Sequence, residues 1–372
     1  MTIHFNNVYI KDSACVCGPY EKSGPLSKYF DKSYDDFYFG EKSFEKAEIK
    51  LVNESLKILM KKCMVMKDSV DLVIGGDLLN QITASSYGSY GIGNGFVGIY
   101  GACSTSVLGL IIGSCLVDGG FINNCCCVVS SHNLGSERQF RYPVEYGAPR
   151  PLTSTFTATG AGSCFLTKEK KIIKVESATI GRIVDYGQND ANDMGCCMAP
   201  AAIDTLKRHL EETGRDASYY DLILTGDLGI YGKEIVKDYM SKYYSIDLSE
   251  NYNDCGVMLY DIEKQKDVHA GGSGPACSAL VVYSYIFNQM KKNDDESKVL
   301  GDIRDTLLPK LMSGDIKNVY LDLERRGFDE ELRYPQSFAK KLKKKYADII
   351  VPEGGYNIVA LNMIIEKIRS II

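Results

Sequence analysis

The chain has 372 residues, 45% of them hydrophobic, enough to bury a large core and to build two or three domains. Its net charge of −5 and pI near 5.6 argue against a nucleic-acid partner, because a surface that tracks phosphates needs concentrated Lys and Arg. Thirteen cysteines would suggest disulfides in a secreted protein, but Met1 to Gly18 shows no basic start followed by an apolar core, so we expect a cytoplasmic chain with reduced thiols.

In chain order, Cys15 and Cys17 come first; no second Cys or His pair stands at zinc-site spacing, so no metal is expected there. An amphipathic helix is expected from Phe44 to Lys62, followed by the short apolar run Asp71-Leu72-Val73-Ile74-Gly75-Gly76-Asp77-Leu78. The same order returns later, with a helical stretch from Ala201 to Thr213 and then Asp221-Leu222-Ile223-Leu224-Thr225-Gly226-Asp227-Leu228. Each run reads as a buried strand stopping at a Gly-Asp turn, and the echo makes the chain look duplicated. Two similar α/β halves would face each other, and their junction is where function is expected.

Tyr100-Gly101-Ala102-Cys103-Ser104-Thr105-Ser106 opens an apolar helix from Val107, and Gly274-Pro275-Ala276-Cys277-Ser278-Ala279 opens its counterpart. A thiol at a helix N-terminus feels the dipole and nearby N–H groups, which favour thiolate, so Cys103 is a candidate nucleophile. A small buried residue at a tight crossing explains the motif equally well. The most apolar stretch, Val107 to Val117, is too short to span a membrane, which takes roughly 18 to 20 residues. Cys125, Cys126 and Cys127 lie in a β-like run and alternate faces, so they read as core, as do Cys196 and Cys197.

Four histidines are available. His4 is near the start and His209 lies on a charged helix, so both read as surface residues. His132 heads a polar stretch after the Val128-Val129 strand and is a candidate site-lining residue. His269 precedes Ala270-Gly271-Gly272-Ser273-Gly274, a loop able to press backbone against a ligand, and is the candidate base. That loop is not a phosphate-binding P-loop, since no Gly-Lys-Ser/Thr ending occurs anywhere. Between them, Ser136 to Arg150 gathers Arg138, Arg141 and Arg150 among aromatics. Such a cluster suits a small dianion stacked beside Tyr or Phe; each arginine taken singly is explained as well by ion pairs with Glu137, Glu145 or Asp185. Lys340, Lys341, Lys343, Lys344 and Lys345 read as a solvated helix face, with contact to anionic lipid the lesser reading.

Several blocks together resemble the stage V sporulation protein AD family of the thiolase superfamily. They are Gly76-Asp77-Leu78-Leu79-Asn80-Gln81-Ile82, Tyr100 to Thr105, Glu137-Arg138-Gln139-Phe140-Arg141, Thr159 to Gly162, Asp190 to Gly195, Met198 to Ala202, Thr225 to Gly229, Asn253-Asp254-Cys255-Gly256 and His269 to Gly274, in order over roughly residues 1 to 320. The resemblance implies a thiolase-like five-layer αβαβα α/β fold with two duplicated halves, the first spanning 1–170 and the second 171–323. It implies a sporulation protein that binds dipicolinic acid, alone or with calcium, and supports its uptake into the developing spore beside membrane channel proteins of the same operon. It also implies a homodimer, peripheral to the forespore inner membrane, without cofactor or nucleic acid. Arg138, Arg141, Arg150, His132, Asn80 and Gln81 are the candidate ligand contacts.

The alternative is an acyl-transferring thiolase or ketoacyl-synthase-type enzyme, with Cys103 as nucleophile, His269 as base and a CoA thioester as donor. Against it, Asp227 stands where the superfamily has His or Asn, and a carboxylate repels the developing enolate those residues stabilise. Cys103, His269 and Asp227 are therefore read as a vestigial or pocket-lining set. A second departure lies at the end, where Val319 to Leu323 runs into Glu324-Arg325-Arg326-Gly327 instead of the expected turn, and residues 324–372 form an atypical extension resembling the tail of bacterial uridine kinases. The tail would suggest a nucleotide-linked protein, but without a P-loop it phosphorylates nothing; a lineage-specific extension or a chimeric gene accounts for it.

Overall fold

The computed structural model describes residues 1–140, 147, 149–190 and 192–312. They fall into two compact units, Met1–Lys292 and the part that begins at Asn293. The sequence reading sets its boundaries at 170 and 323 instead. The expected strand Val319–Leu323, the Lys340–Lys345 run and the 324–372 extension lie outside the described residues, as does Arg141.

The first unit is organised on a seven-stranded sheet. Its long strands are β2 (Tyr9–Cys17), β4 (Leu72–Gly76), β6 (Asn124–Ser131) and β8 (Gly160–Thr167), with the short β3 (Lys32–Ser33), β5 (Phe96–Gly98) and β9 (Ile173–Lys174) at the margins. The spatial order is β3-β2-β8-β6-β4-β5, with β9 also on β2. β4, β5 and β6 run parallel and β8 runs antiparallel to β6 and β2. A separate pair, β1 (Thr2–His4) and β10 (Ser177–Thr179), is antiparallel.

Both faces of the large sheet are covered. Helix α2 (Phe44–Cys63) lays Ala47, Leu51, Val52, Leu56 and Leu59 on Val16, Val73, Cys126, Val128, Ala161 and Phe165. Ser43 caps this helix by accepting from the Lys46 N–H at 3.3 Å. On the opposite face Ile74, Cys125, Cys127, Val129, Cys164 and Leu166 meet α4 (Thr105–Asp118) and α9 (Pro275–Leu280). The expected alternation of the three adjacent cysteines is thus observed: Cys126 faces α2 and its neighbours face inward. The short helices α1 (Pro19–Lys22), α3 (Thr83–Gly88) and α5 (Asn133–Phe140) follow β2, β4 and β6.

The second half repeats this plan in reduced form. Strands β11 (Ile223–Thr225) and β12 (Tyr252–Asp254) pair in parallel, and β13 (Gly272–Ser273) pairs with β7 (Phe156–Thr157). In β11 Leu224 turns toward the inner core, while Ile223 turns toward a third cluster built by α6 (Met194–Thr213) and α7 (Gly229–Tyr244). Helix, sheet, helix, strand pair and helix follow in succession. The two halves are not equivalent, however: among the described residues the second sheet consists of two-stranded ladders only, because its strands are two or three residues long. Helix α6 begins at Met194, seven residues before the expected Ala201, since Asp193 caps it and Pro200 sits inside it. The remaining helices are α8 (Cys255–Leu259) and α10 (Phe287–Met312). No helix among the described residues is long and apolar enough to cross a membrane.

Candidate functional site

Cys103 sits in a 3-10 turn, Ala102–Ser104, between β5 and α4. Ala102 holds φ 47, a left-handed conformation that L residues seldom adopt, and strain of this kind collects at functional turns. The Cys103 sulfur lies 3.8 Å from the Ser273 hydroxyl, which donates to Asp227 Oδ2 at 3.1 Å. The Gly274 N–H donates to the same oxygen at 3.1 Å. Gly274 takes φ 91, and a Cβ there would come within 3.0 Å of the Ser131 hydroxyl, so the residue that presents this N–H has to be glycine. The two halves therefore meet as the sequence implied, thiol on one side and carboxylate on the other.

The electrostatics reverse the helix-dipole expectation. Burial pushes the Cys103 thiol well above the usual thiol range, and the negative charge and hydrogen bond of Asp227 push it further. Burial also raises Asp227, against hydrogen bonds from Cys103, Gly274 and Ser273. Both effects favour the thiol form of Cys103 over the thiolate. His269 is half-buried beside this loop, and among the described residues no interaction joins it to Cys103.

What holds Asp227 in place is Asp254, whose role sequence reasoning missed. The Asp254 carboxylate accepts from Thr225 Oγ1 at 2.7 Å and from the N–H groups of Leu228, Gly229 and Gly256 at 2.9, 3.0 and 2.9 Å. Burial raises it to about 6, with Asp227 contributing, while the donors pull the other way. The available signal was the register: Thr225 and Asp254 are partners in the β11–β12 ladder, so Thr-Gly-Asp and Asn-Asp-Cys-Gly form one site.

The ligand candidates divide. His132 is fully buried and ringed by Phe37, Phe39 and Phe44, with Phe44 stacked at 5.1 Å. Its Nδ1 accepts from the Gly135 N–H at 3.3 Å, so Nε2–H donates to the Phe37 carbonyl at 2.8 Å. Burial lowers its pKa to about 4 and keeps the ring neutral. The site-lining reading of His132 is corrected accordingly: it is a core histidine tying the 37–44 segment to β6. Arg150 is bidentate with Glu137, at 3.1 and 2.5 Å, and that buried carboxylate also accepts from Asn133 Nδ2 and the Thr157 N–H. The internal ion pair, not a ligand, claims its fork.

Arg138, Asn80 and Gln81 are exposed and share one neighbourhood. The Arg138 guanidinium lies over the Phe44 ring, 4.8 Å from its centroid. A Cβ built on Gly135, a turn before Arg138, would meet Leu79 Cδ2 at 3.6 Å and Phe44 Cβ at 3.7 Å, which brings the Asn80–Ile82 turn alongside. Gln81 and Ile82 both hold left-handed φ, 58 and 48, so this turn is strained as well.

Set beside known proteins, residues 1–313 match the model of stage V sporulation protein AD. The chain belongs to that family. It is 43% identical over 285 residues to stage V sporulation protein AD of Bacillus subtilis (strain 168), covering 77% of this chain and 83% of the relative. Among solved structures, a variant of Xanthomonas campestris OleA superposes with a TM-score of 0.50 at 13% identity over 75% of this chain and 90% of that one. Cerulenin-bound OleA gives 0.51 at 13% identity over 76% and 88%. At such identity these establish the fold alone, which is thiolase-like. The uridine kinase likeness is partial: 33% over 66 residues to the Geobacillus kaustophilus (strain HTA426) enzyme, 15% of this chain and 31% of that one. The chain is thus a sporulation protein of thiolase-like fold.

Proposed function

We propose that this member of the family binds dipicolinic acid, alone or with calcium, and supports its uptake into the developing spore without catalysing a reaction. The observation that carries the non-catalytic part is the Asp227 carboxylate at Cys103: it disfavours thiolate, and it would oppose an enolate formed beside it. Family membership supports the ligand. Dipicolinate is a flat aromatic dianion, and the exposed Arg138 over Phe44, beside Asn80 and Gln81 and near Arg141 in sequence, offers charge, stacking surface and amide groups.

We place the protein on the cytoplasmic side, peripheral to the forespore inner membrane, next to channel proteins of its operon. A homodimer is part of the proposal, supported by β5: this edge strand exposes Phe96 and Val97, with Tyr87, Tyr90 and Tyr100 exposed nearby in sequence.

The test is thermal unfolding. Dipicolinate at a hundredfold excess over its Kd should add about 2.7 kcal/mol, and benzoate much less; equal shifts would mean that the second carboxylate is not read. A second reading, acyl transfer through Cys103, is favoured by the strained Ala102 turn alone. Incubation with acyl-CoA and mass spectrometry decides between them: a stable adduct on Cys103 supports the enzyme, and its absence supports the binder.

A further inference from the structure

The strands of the large sheet have two ends. Cys103 and the Asn80–Ile82 turn follow the C-terminal ends of β5 and β4. At the opposite end three loops come together: 64–71 ahead of β4, 119–123 ahead of β6 and 168–172 after β8. Their proximity is fixed by the ladders, in which Leu72 faces Cys125 and Asn124 faces Thr167. Hydrogen bonds lock the first two loops: Asn124 Nδ2 donates to the Ser69 carbonyl and the Asn123 N–H to Asp71. Lys168 Nζ comes within 3.9 Å of a Cβ built on Gly120.

Four large apolar side chains protrude here. Met64 is 90% exposed, Met66 73%, Phe121 79% and Ile172 46%. Around them stand Lys61, Lys67, Lys168 and Lys170, none of which forms an ion pair among the described residues. Of the carboxylates nearby only Glu169 is paired with a cation among the described residues, and the others keep their charge. Glu169 pairs with Lys171, Asp118 accepts the Asn6 and Asn7 N–H groups, and Asp71 accepts from Asn123; Asp68 is the one left with no bonded donor among the described residues.

Met64 is the most telling member. It occupies the left-handed position that ends α2, with φ 52, and its N–H bonds the Lys61 carbonyl while that of Val65 bonds Met60. Glycine is the residue this position favours, so a methionine that points into solvent serves neither the helix end nor the core.

We propose that this end of the sheet is a membrane-docking face, in which Met64, Met66, Phe121 and Ile172 enter the headgroup region and Lys61, Lys67, Lys168 and Lys170 meet anionic lipid. Apolar tips ringed by unpaired lysines match an anionic bilayer surface in both hydrophobicity and charge. Docking through it leaves the Cys103 end of the sheet turned away from the lipid. The inference deepens the proposed peripheral placement and rests on it, but is independent of the ligand.

The experiment is sedimentation with vesicles of phosphatidylglycerol and phosphatidylcholine in equal parts, with pure phosphatidylcholine as control. The parent should sediment with the anionic vesicles, and this should fade as salt rises toward 1 M, where the Debye length falls to about 3 Å. Met66→Ser with Phe121→Ser, and separately Lys67→Glu with Lys170→Glu, should each weaken binding about tenfold or more at unchanged melting temperature. Met64→Gly is the control for folding: it should melt at least as high as the parent while binding vesicles less. If the parent binds and these variants bind equally, the face is wrong and the peripheral placement stands. If the parent ignores anionic vesicles, the lipid-docking face fails, while peripheral placement through channel proteins and dipicolinate binding remain separate questions. Loss of a membrane-protein partner in the variants without any vesicle binding would identify a protein surface and overturn the lipid assignment.

Discussion

Asp77 and Asp227 end the two copies of one sequence pattern, strand then Gly-Asp-Leu, yet they do different work. Asp77 closes its own turn, accepting the Leu79 N–H at 2.8 Å and the Ser85 N–H at 2.7 Å. Asp227 bonds nothing in its own turn. It reaches across to Ser273, Gly274 and Cys103, while the Gly229 N–H, counterpart of the Leu79 amide that Asp77 holds, is taken by Asp254 Oδ1 from the neighbouring strand. The difference shows how a duplicated element acquires a site: a second carboxylate assumes the structural task, and the first becomes free to face the junction between the halves.

If that division is real, its largest signature is in stability. Asp254→Ala leaves three backbone N–H groups without their acceptor and should cost on the order of 4 kcal/mol in denaturant unfolding, more than Asp77→Ala, which abandons two. Equal losses would break the comparison.

Next comes another bond across the junction. Glu21 is fully buried and accepts from Tyr260 Oη and the Thr159 N–H, with Cys17 and Lys22 the ionisable groups near it. Burial raises its pKa from 4.5 to about 7, against those hydrogen bonds. A carboxylate raised in the folded state contributes stability below its unfolded pKa and loses it as pH climbs through the folded one. Glu21→Gln should therefore raise stability by roughly 3 kcal/mol at pH 8 and by little near pH 4.5, read as the difference between melting curves at the two pH values. A uniform shift at both would mean that the proton is not involved.

A smaller effect is expected at the exposed end of α5. Arg138→Ala should weaken dipicolinate binding about tenfold or more by calorimetry, the range for a charge-assisted hydrogen bond. Arg150→Ala should instead lower stability, because it removes a bidentate cation from the buried Glu137. If Arg138→Ala binds like the parent, the ligand sits elsewhere.

The sequence made the local elements legible and hid the long-range bonds. Strands at Leu72–Gly76 and Ile223–Thr225, the helix from Phe44 and the turn at Cys103 follow from periodicity and punctuation within a dozen residues. Glu137 with Arg150 was among the pairings the sequence offered, but Glu21 with Tyr260 and Asp254 with the Asp227 turn join segments that only the folded sheets bring together. His132 shows the same limit: a polar stretch suggested a site residue, but three phenylalanines from another segment enclose it. Nor could the motif reveal that burial and a facing carboxylate outweigh the helix dipole at Cys103.

The measurement that tests the account most directly is the pH profile of alkylation at Cys103, read by peptide mass spectrometry, in the parent, Asp227→Asn and Asp77→Asn. The account predicts a slow parent with no plateau near neutral pH, a rate about tenfold higher in Asp227→Asn, equivalent to one pKa unit, and no change in Asp77→Asn. A parent thiol that already ionises near neutral pH, or an Asp227→Asn variant no faster than it, would contradict the claim that burial and, after it, Asp227 disfavour the Cys103 thiolate.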